Sequence, residues 1–268
     1  MTSRKPPSPA QTSHPAPWTL KGEMYWLIAK APTPLPKTAY HPLEQAAING
    51  NTNDFRGGMC YTQIVRYSDS PVGPYDELAI VPGVFGVPGG KLKGKKKMRV
   101  TRIYVSGRET MFDGRKNWNI PKHLARFEFS APLSRKGEAP PRELKVAVYP
   151  PDTAEGGRVD APFFKATLTP WRWLPAVPMS TKYLPLDSTL VQPPLLQGDD
   201  PYLAGTEKWR VVPSLMVAKC RLMWVQMDHE STKTQDEHWP QQIKPWSFGI
   251  WMEEGTFDFG VSAEEFTV

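Results

Sequence analysis

Residues 98–129 read MRVTRIYVSGRETMFDGRKNWNIPKHLARFEF. Two short stretches within it decide the fold class. Between Met98 and Val105, the side chains of Thr101, Ile103 and Val105 share one face of an extended chain. From Leu124 to Phe129, Ala125, Phe127 and Phe129 share a face while Arg126 and Glu128 take the other. A period of two marks half-buried antiparallel strands. Working outward, Arg142–Tyr149 alternates with Leu144, Val146 and Val148 together. Glu23–Lys30, Cys60–Tyr67, Phe163–Leu168, Leu215–Gln226 and Trp246–Met252 are further strand candidates, rich in aromatic and β-branched residues. Tyr75–Val81 is a short apolar run stopped by the turn pair Pro82-Gly83. Helix is sparse. Pro42–Asn49 has proline in its first turn, and Ser262–Phe266 carries the Ser262…Glu265 capping-box spacing of one terminal helical turn. The fold class read from this is mainly antiparallel β (α+β with few short helices). Closure into a barrel would remove the exposed edges.

Composition supports the same class. Thirty prolines in 268 residues are about twice the usual ~5%. They exclude a helical bundle, because proline inside a helix costs ~3 kcal/mol. Residues 1–19 read as a disordered proline- and serine-rich tail without the apolar core of a secretory signal, and 20–268 as a single domain. Leu184–Gly205 reads as a long surface loop. No apolar run approaches the ~20 residues of a membrane span. Cys60 and Cys220 lie in apolar, strand-like sequence and are expected as reduced core residues, with the cytoplasm as the default compartment.

Several showy motifs have plain readings. Lysine and arginine total 33 against 27 acidic residues, a net charge of +6, and so mild an excess does not by itself imply nucleic acid. The basic run GGKLKGKKKMR at 89–99 has no interleaved aromatics and reads as a solvated hairpin tip rather than a nucleic-acid patch. Asp228-His229-Glu230 and Asp236-Glu237-His238 lack the His-x3-His spacing of a metal site, so no metal is expected. Trp171-Arg172-Trp173 reads as core or pocket wall rather than an aromatic clamp.

The chemistry concentrates in Gly107–Phe129. Lys122 is set among Trp118, Ile120, Pro121 and Leu124. Burial in such company disfavours the ammonium and lowers the lysine pKa. A free lysine at ~10.4 has under about a thousandth of its amine unprotonated at pH 7, so the shift matters. A neutral lysine amine forms Schiff bases with carbonyl compounds. The plain alternative is a surface lysine after a loop proline.

The run Gly114-Arg115-x-x-x-x-x-Pro121-Lys122 resembles the signature of the acetoacetate decarboxylase superfamily, whose Schiff-base lysine follows the proline. Tyr75-Asp76-Glu77, before an apolar strand, resembles that family's tyrosine-x-glutamate segment. The likeness extends from Gly22 to Gln226. It implies a curved antiparallel sheet closing into a cone-shaped barrel with a pocket inside. It also implies Lys122 as the Schiff-base residue, with Glu77 positioning substrate or shuttling protons. No cofactor is implied, because the iminium is itself the electron sink. Three departures stand out: His123 where the decarboxylase has a second lysine, Gln63 where it has an acid, and Gly22 where it has an arginine. Gln63, His123 and Arg115 are the candidate substrate-binding residues, with Arg66 as another source of a carboxylate contact. The expected function is a cofactor-independent, decarboxylase-like Schiff-base lyase acting on a keto acid or other carbonyl compound. The alternatives are aldol condensation with dehydration, cyclisation, or binding of an apolar small molecule without catalysis. The partners expected are a small-molecule carbonyl substrate and further copies of the chain in a homo-oligomer, with no nucleic acid and no membrane.

Overall fold

The computed structural model describes residues 12–48, 54–152, 157–183, 187–228 and 237–268. The chain opens with β1 (Trp18–Ala29), followed by α1 (Pro42–Ile48), β2 (Cys60–Asp69) and β3 (Tyr75–Val81). A hairpin of β4 (Val84–Gly86) and β5 (Lys96–Met98) carries the basic run at its tip, as expected. Next come β6 (Arg102–Val105), α2 (Arg108–Trp118), β7 (Lys122–Leu124), β8 (Arg126–Phe129), β9 (Leu144–Tyr149), β10 (Phe164–Pro170) and β11 (Val177–Ser180). The last elements are β12 (Leu190–Gln192), β13 (Trp209–Val212), β14 (Ser214–Met227), β15 (Pro245–Phe259) and β16 (Glu264–Phe266).

The large sheet runs β7-β6-β3-β2-β1-β15-β14-β10-β9-β8, with β11 added against β14. Its two outermost strands, β7 and β8, are separated in the chain only by Ala125, so the sheet curls until its ends meet. The strands are mainly antiparallel, as the alternation implies, and the sheet is the nearly closed barrel that the resemblance implies. A small second sheet, β16-β13-β12-β5-β4, packs against it. Among the described residues no helix is long and apolar enough to cross a membrane.

Register gives the two faces of the large sheet different neighbours. One transverse row reads Lys122, Ile103, Ala79, Gln63, Trp26, Ile250, Leu222, each residue opposite the next on the adjoining strand. Residues in such a row share a face. The adjacent row reads His123, Tyr104, Leu78, Ile64, Tyr25, Trp251, Arg221, on the opposite face. The face with Tyr25, Ile64 and Leu78 meets Val146, Phe163 and Leu168 from across the curl, and together they fill its interior. The face with Trp26, Val65 and Ile103 is covered instead by α2 and the small sheet, through Trp118, Met98, Leu190 and Val212.

Several expectations need correction. The interval between the two strand stretches of residues 98–129 is not a plain connection, for α2 occupies Arg108–Trp118. Met98–Val105 is not one strand: β5 ends at Met98 in the small sheet, and β6 begins at Arg102 in the large one. Glu264–Phe266 is a strand paired with β13, not a helical turn, because the pairing recruits its backbone groups. The stretch 187–205 is no mere surface loop, since it contributes β12 and buried Leu195. Trp18 and Thr19, assigned to the tail, belong to β1, and Trp18 is buried. Ahead of them, His14 is tied to buried Asp113 of α2 by its backbone N–H and by its ring Nδ1 at 3.0 Å. Cys60 and Cys220 are free thiols, the first buried and the second half-buried.

Candidate active site

α2 ends at Trp118 because Asn119 takes a left-handed conformation (φ 56°) and its backbone N–H closes onto the Arg115 carbonyl. Its side-chain amide donates to the carbonyls of Pro193 and Lys208, which fixes the exit. The chain then enters β7 beside β6, with Ile103 opposite Lys122. Glu77 is opposite Val105, two residues along from Ile103 on the same face. The lysine side chain reaches diagonally across that step. Lys122 Nζ donates to Glu77 Oε1 at 2.6 Å and to Thr110 Oγ1 at 2.8 Å, and it stands 5.0 Å from the centre of the Tyr75 ring. Lys122 and Glu77 are each 4% exposed.

Gly114 makes room for this reach. A Cβ there would stand 2.5 Å from Lys122 Cδ, so the lysine methylenes fill the space a side chain would take. Tyr67 and Tyr75 flank Glu77, with Tyr67 Oη donating to Glu77 Oε2 at 3.5 Å. Burial, reinforced by the Glu77 charge, holds both phenols well above their ordinary pKa, so both remain neutral donors.

The pair opens on a cavity. Its walls are largely apolar: Trp18, Trp26 and Trp118 with Met24, Met98 and Met216, among others. Gln63 is in the wall, its Oε1 accepting from Trp26 Nε1 at 3.1 Å. Lys122 is the only cation among the described residues that line it. The cavity lies between the large sheet and the small one. This refines the expectation of a pocket inside the barrel, because the curl's own interior is filled by the other core.

The structure brings Lys122, Glu77 and Gln63 to one cavity. It does not bring His123 and Arg115 there. His123 follows Lys122 along a strand and therefore points to the opposite face. There its Nε2 is 2.8 Å from Glu44 Oε2, and its ring stacks on His41 at 3.4 Å. Arg115, fully buried, donates to Glu44 Oε1 at 2.9 Å and to the carbonyls of Ala204, Leu196 and Lys122. Arg66, on that same opposite face, donates to the Ala131 carbonyl and covers the Phe129 ring. Among the described residues no guanidinium lines the cavity. Gly22 leaves no space for the arginine that the resemblance sets at this position, since a Cβ there would lie 2.1 Å from the Arg66 carbonyl oxygen.

His41, Glu44 and His123 bring three possible metal-ligating atoms within 4.8 Å of one another, a grouping not foreseen in the sequence. Stacked rings direct their in-plane lone pairs side by side rather than toward one point. Burial and the neighbouring His123 and Arg102 push His41 down to about 2, and burial also lowers His123. Burial acts to raise Glu44, but its hydrogen bonds from His123 and Arg115 outweigh that and hold it low. The group therefore reads as a satisfied network joining α1, α2 and β7. Of the acidic motifs expected not to bind metal, residues 229–236 lie outside the described residues, while His238 stacks on Phe163.

No family model matches the chain. Over 113 residues it is 31% identical to Protein NEOXANTHIN-DEFICIENT 1 of Oryza sativa subsp. japonica. The match covers 41% of this chain and 33% of the rice protein. Solved structures align over nearly the whole chain. An acetoacetate decarboxylase-like enzyme from Sphingomonas wittichii RW1 superposes with a TM-score of 0.55 at 12% identity, covering 93% of this chain and 92% of that one. The acetoacetate decarboxylase of Legionella pneumophila gives 0.52 at 14%, covering 98% and 93%. The enduracididine biosynthesis enzyme MppR, complexed with pyruvate, gives 0.51 at 15%, covering 92% and 89%. The chain has the acetoacetate decarboxylase-like fold. In this chain Lys122 and Glu77 meet across the sheet, Nζ to Oε1 at 2.6 Å.

Two further contacts of the site were missed. Tyr75 stood in the quoted Tyr75-Asp76-Glu77 segment, on the same strand face as Glu77. Thr110 gave no signal, because the polar helix that carries it was not anticipated.

Proposed function

We propose that Lys122 forms a Schiff base with an apolar carbonyl compound held in the cavity, and that Glu77 handles the protons. The observation that carries this reading is a buried lysine, hydrogen-bonded to a carboxylate, in a largely apolar cavity. Glu77 accepts one proton from the Lys122 ammonium, leaving a neutral amine. The amine attacks the carbonyl carbon, and the carbon–oxygen π bond becomes a carbinolamine hydroxyl that carries a second proton from the nitrogen. The carbon–oxygen bond then breaks as Glu77 returns its proton, and water leaves. The ammonium and the carbonyl compound thus yield the iminium and water, with Glu77 a carboxylate again. The iminium draws electrons from the adjacent carbon, which supports decarboxylation, aldol cleavage or dehydration alike.

The lining favours a substrate without a free carboxylate. The one cation is already engaged by Glu77, and a second acid would have no partner. A keto acid such as the pyruvate found with MppR therefore suits this cavity less well than an apolar ketone or aldehyde. The Lys122–Glu77 ion pair also favours a second reading, binding without turnover, in which the amine stays protonated. Borohydride reduction in the presence of an apolar aldehyde, an apolar ketone or pyruvate separates the two. The expected result is a mass adduct on the Lys122 peptide with the apolar probes, absent in Lys122→Arg. Saturable probe binding without any adduct supports the binding reading, and an identical adduct in Lys122→Arg refutes both the site and the chemistry.

A further inference from the structure

The row that begins at Lys122 does not end at the cavity. Beyond Trp26, which lines it, the same face continues through Ile250 on β15 to Leu222 on β14. Ile250 is half-buried and Leu222 is 41% exposed. Past Leu222 the face becomes a cluster of uncovered rings. Trp224 is 52% exposed and opposite Phe248, and Trp246 is 47% exposed and 5.6 Å from Phe248, ring to ring. Trp171 stacks on Trp173 at 5.5 Å and meets Trp224 at 4.9 Å, while Trp173 itself is 75% exposed. The Trp171-Arg172-Trp173 motif is thus neither core nor pocket wall. An exposed apolar patch of this kind marks an interaction surface.

Charge indicates which partner. Arg172 stands exposed between two of the tryptophans. Lys30 and Lys244 are exposed at the same end, beside Ala29 and Pro245, which are opposite each other in the β1–β15 ladder. No salt bridge engages any of the three among the described residues. The whole chain carries +6. Tryptophan rings with an apolar body and a polar N–H, rimmed by unpaired cations, suit the headgroup region of an anionic membrane. A route of apolar side chains from such a surface to the cavity also suits a ligand that water dissolves poorly.

We infer that this aromatic face docks the protein on an anionic lipid surface, with the row from Leu222 to Trp26 as the way from membrane to cavity. Such peripheral docking needs no membrane span, which is why a search for long apolar runs does not find it. The inference stands apart from the lysine chemistry, so a failure of borohydride trapping leaves it intact.

The test is flotation of the full chain with phosphatidylcholine vesicles, with and without phosphatidylserine. Binding is expected with phosphatidylserine, weakening as salt rises. The variant Trp173→Ser/Trp224→Ser/Trp246→Ser should lose it. Lys30→Glu/Lys244→Glu should lower partitioning by about tenfold or more, since each basic residue near an anionic surface contributes substantially. These positions are exposed, so melting temperatures should hold; if the tryptophan variant fails to fold, the lysine variant decides. Absence of vesicle binding overturns the inference, as does binding unchanged in both variants. So does a homodimer, seen by light scattering, that the tryptophan substitutions split into monomers while no vesicle is bound, for then a second copy of the chain covers this face.

Discussion

Lys122 and His123 are neighbours in one three-residue strand, yet they belong to different environments. Lys122 faces an open apolar cavity in which one ion pair supplies the only charges. His123 faces a filled network in which Glu44, Arg115 and His41 meet at hydrogen-bonding or stacking distance. The difference separates a site from a support. Space next to a reactive group admits a ligand, whereas a group whose partners are all protein atoms has no place for one. Both faces bury charge, and only one leaves room.

The largest effect is expected on the network side. Arg115→Met removes the cation from a buried carboxylate and leaves three further carbonyls without that donor. Breaking a buried pair in this way costs roughly 3–5 kcal/mol, measurable by urea unfolding. A loss no greater than that of Lys122→Met would break the comparison. On the cavity side Lys122→Met should cost only about 1–3 kcal/mol, because water entering the cavity can solvate Glu77. The same variant should abolish borohydride trapping. Lys122→Met/Glu77→Leu should recover most of the stability lost.

Acid should also act through the network face. His41 is held to about 2 by burial, so below its unfolded value of ~6.5 the unfolded chain binds the proton that the native chain refuses. Its contribution to stability is full above ~6.5 and falls by about 1.4 kcal/mol for each pH unit below it. Asp76, raised to about 6 by burial against the pull of Arg66, works the other way. Its native carboxyl takes up a proton first, so it adds stability as pH falls from about 6 toward 4, at about the same slope. These two nearly cancel in that range, and His123, lowered by burial, tips the balance toward acid lability. We therefore expect the melting temperature to drop from pH 7 to pH 5. The drop should be steeper in Asp76→Asn and shallower in His123→Gln. A steeper drop in His123→Gln would refute the assignment.

The smallest effect on stability, about 1 kcal/mol, is expected from Gly114→Ala. Its new Cβ meets only the flexible end of Lys122, so the fold adapts while the amine moves off Glu77. Trapping should slow far more than stability falls; equal effects on both would show that Gly114 serves packing alone.

Much of this was legible in the residues. Tyr75–Val81 forms a strand with the bounds that Pro82-Gly83 set for it, and the alternation of Leu144, Val146 and Val148 marked a real buried face. Lys122 and Glu77 could be named from their motifs, but only ladder register explains how two residues 45 positions apart are brought together. α2 was hidden because its buried face mixes Met111 and Trp118 with Thr110, Asp113, Gly114 and Arg115, so no continuous apolar stripe marks it. His123 was misplaced because a substitution beside the lysine was read as one inside the cavity, when the pleat turns it away. Ser262–Phe266 shows the limit of local signals, since its capping spacing is overruled by a strand partner about 50 residues earlier in the chain. The backbone carbonyls of Leu196 and Ala204 hold Arg115, and no pattern of side chains announces such a use of a loop.

The tie between His14 and Asp113 reaches into the cavity at second hand. Asp113 accepts from Ser13 and His14, and the His14 carbonyl in turn accepts from the indole of Trp18 and from Asn117. Trp18 meets Trp118 edge to face at 5.2 Å, and both are cavity walls. One carboxylate thus fastens residues 13–18 like a buckle, and two of the three tryptophan walls depend on it. A proteolytic nick between Ser13 and Trp18 would loosen the chamber from the side without altering any residue that lines it.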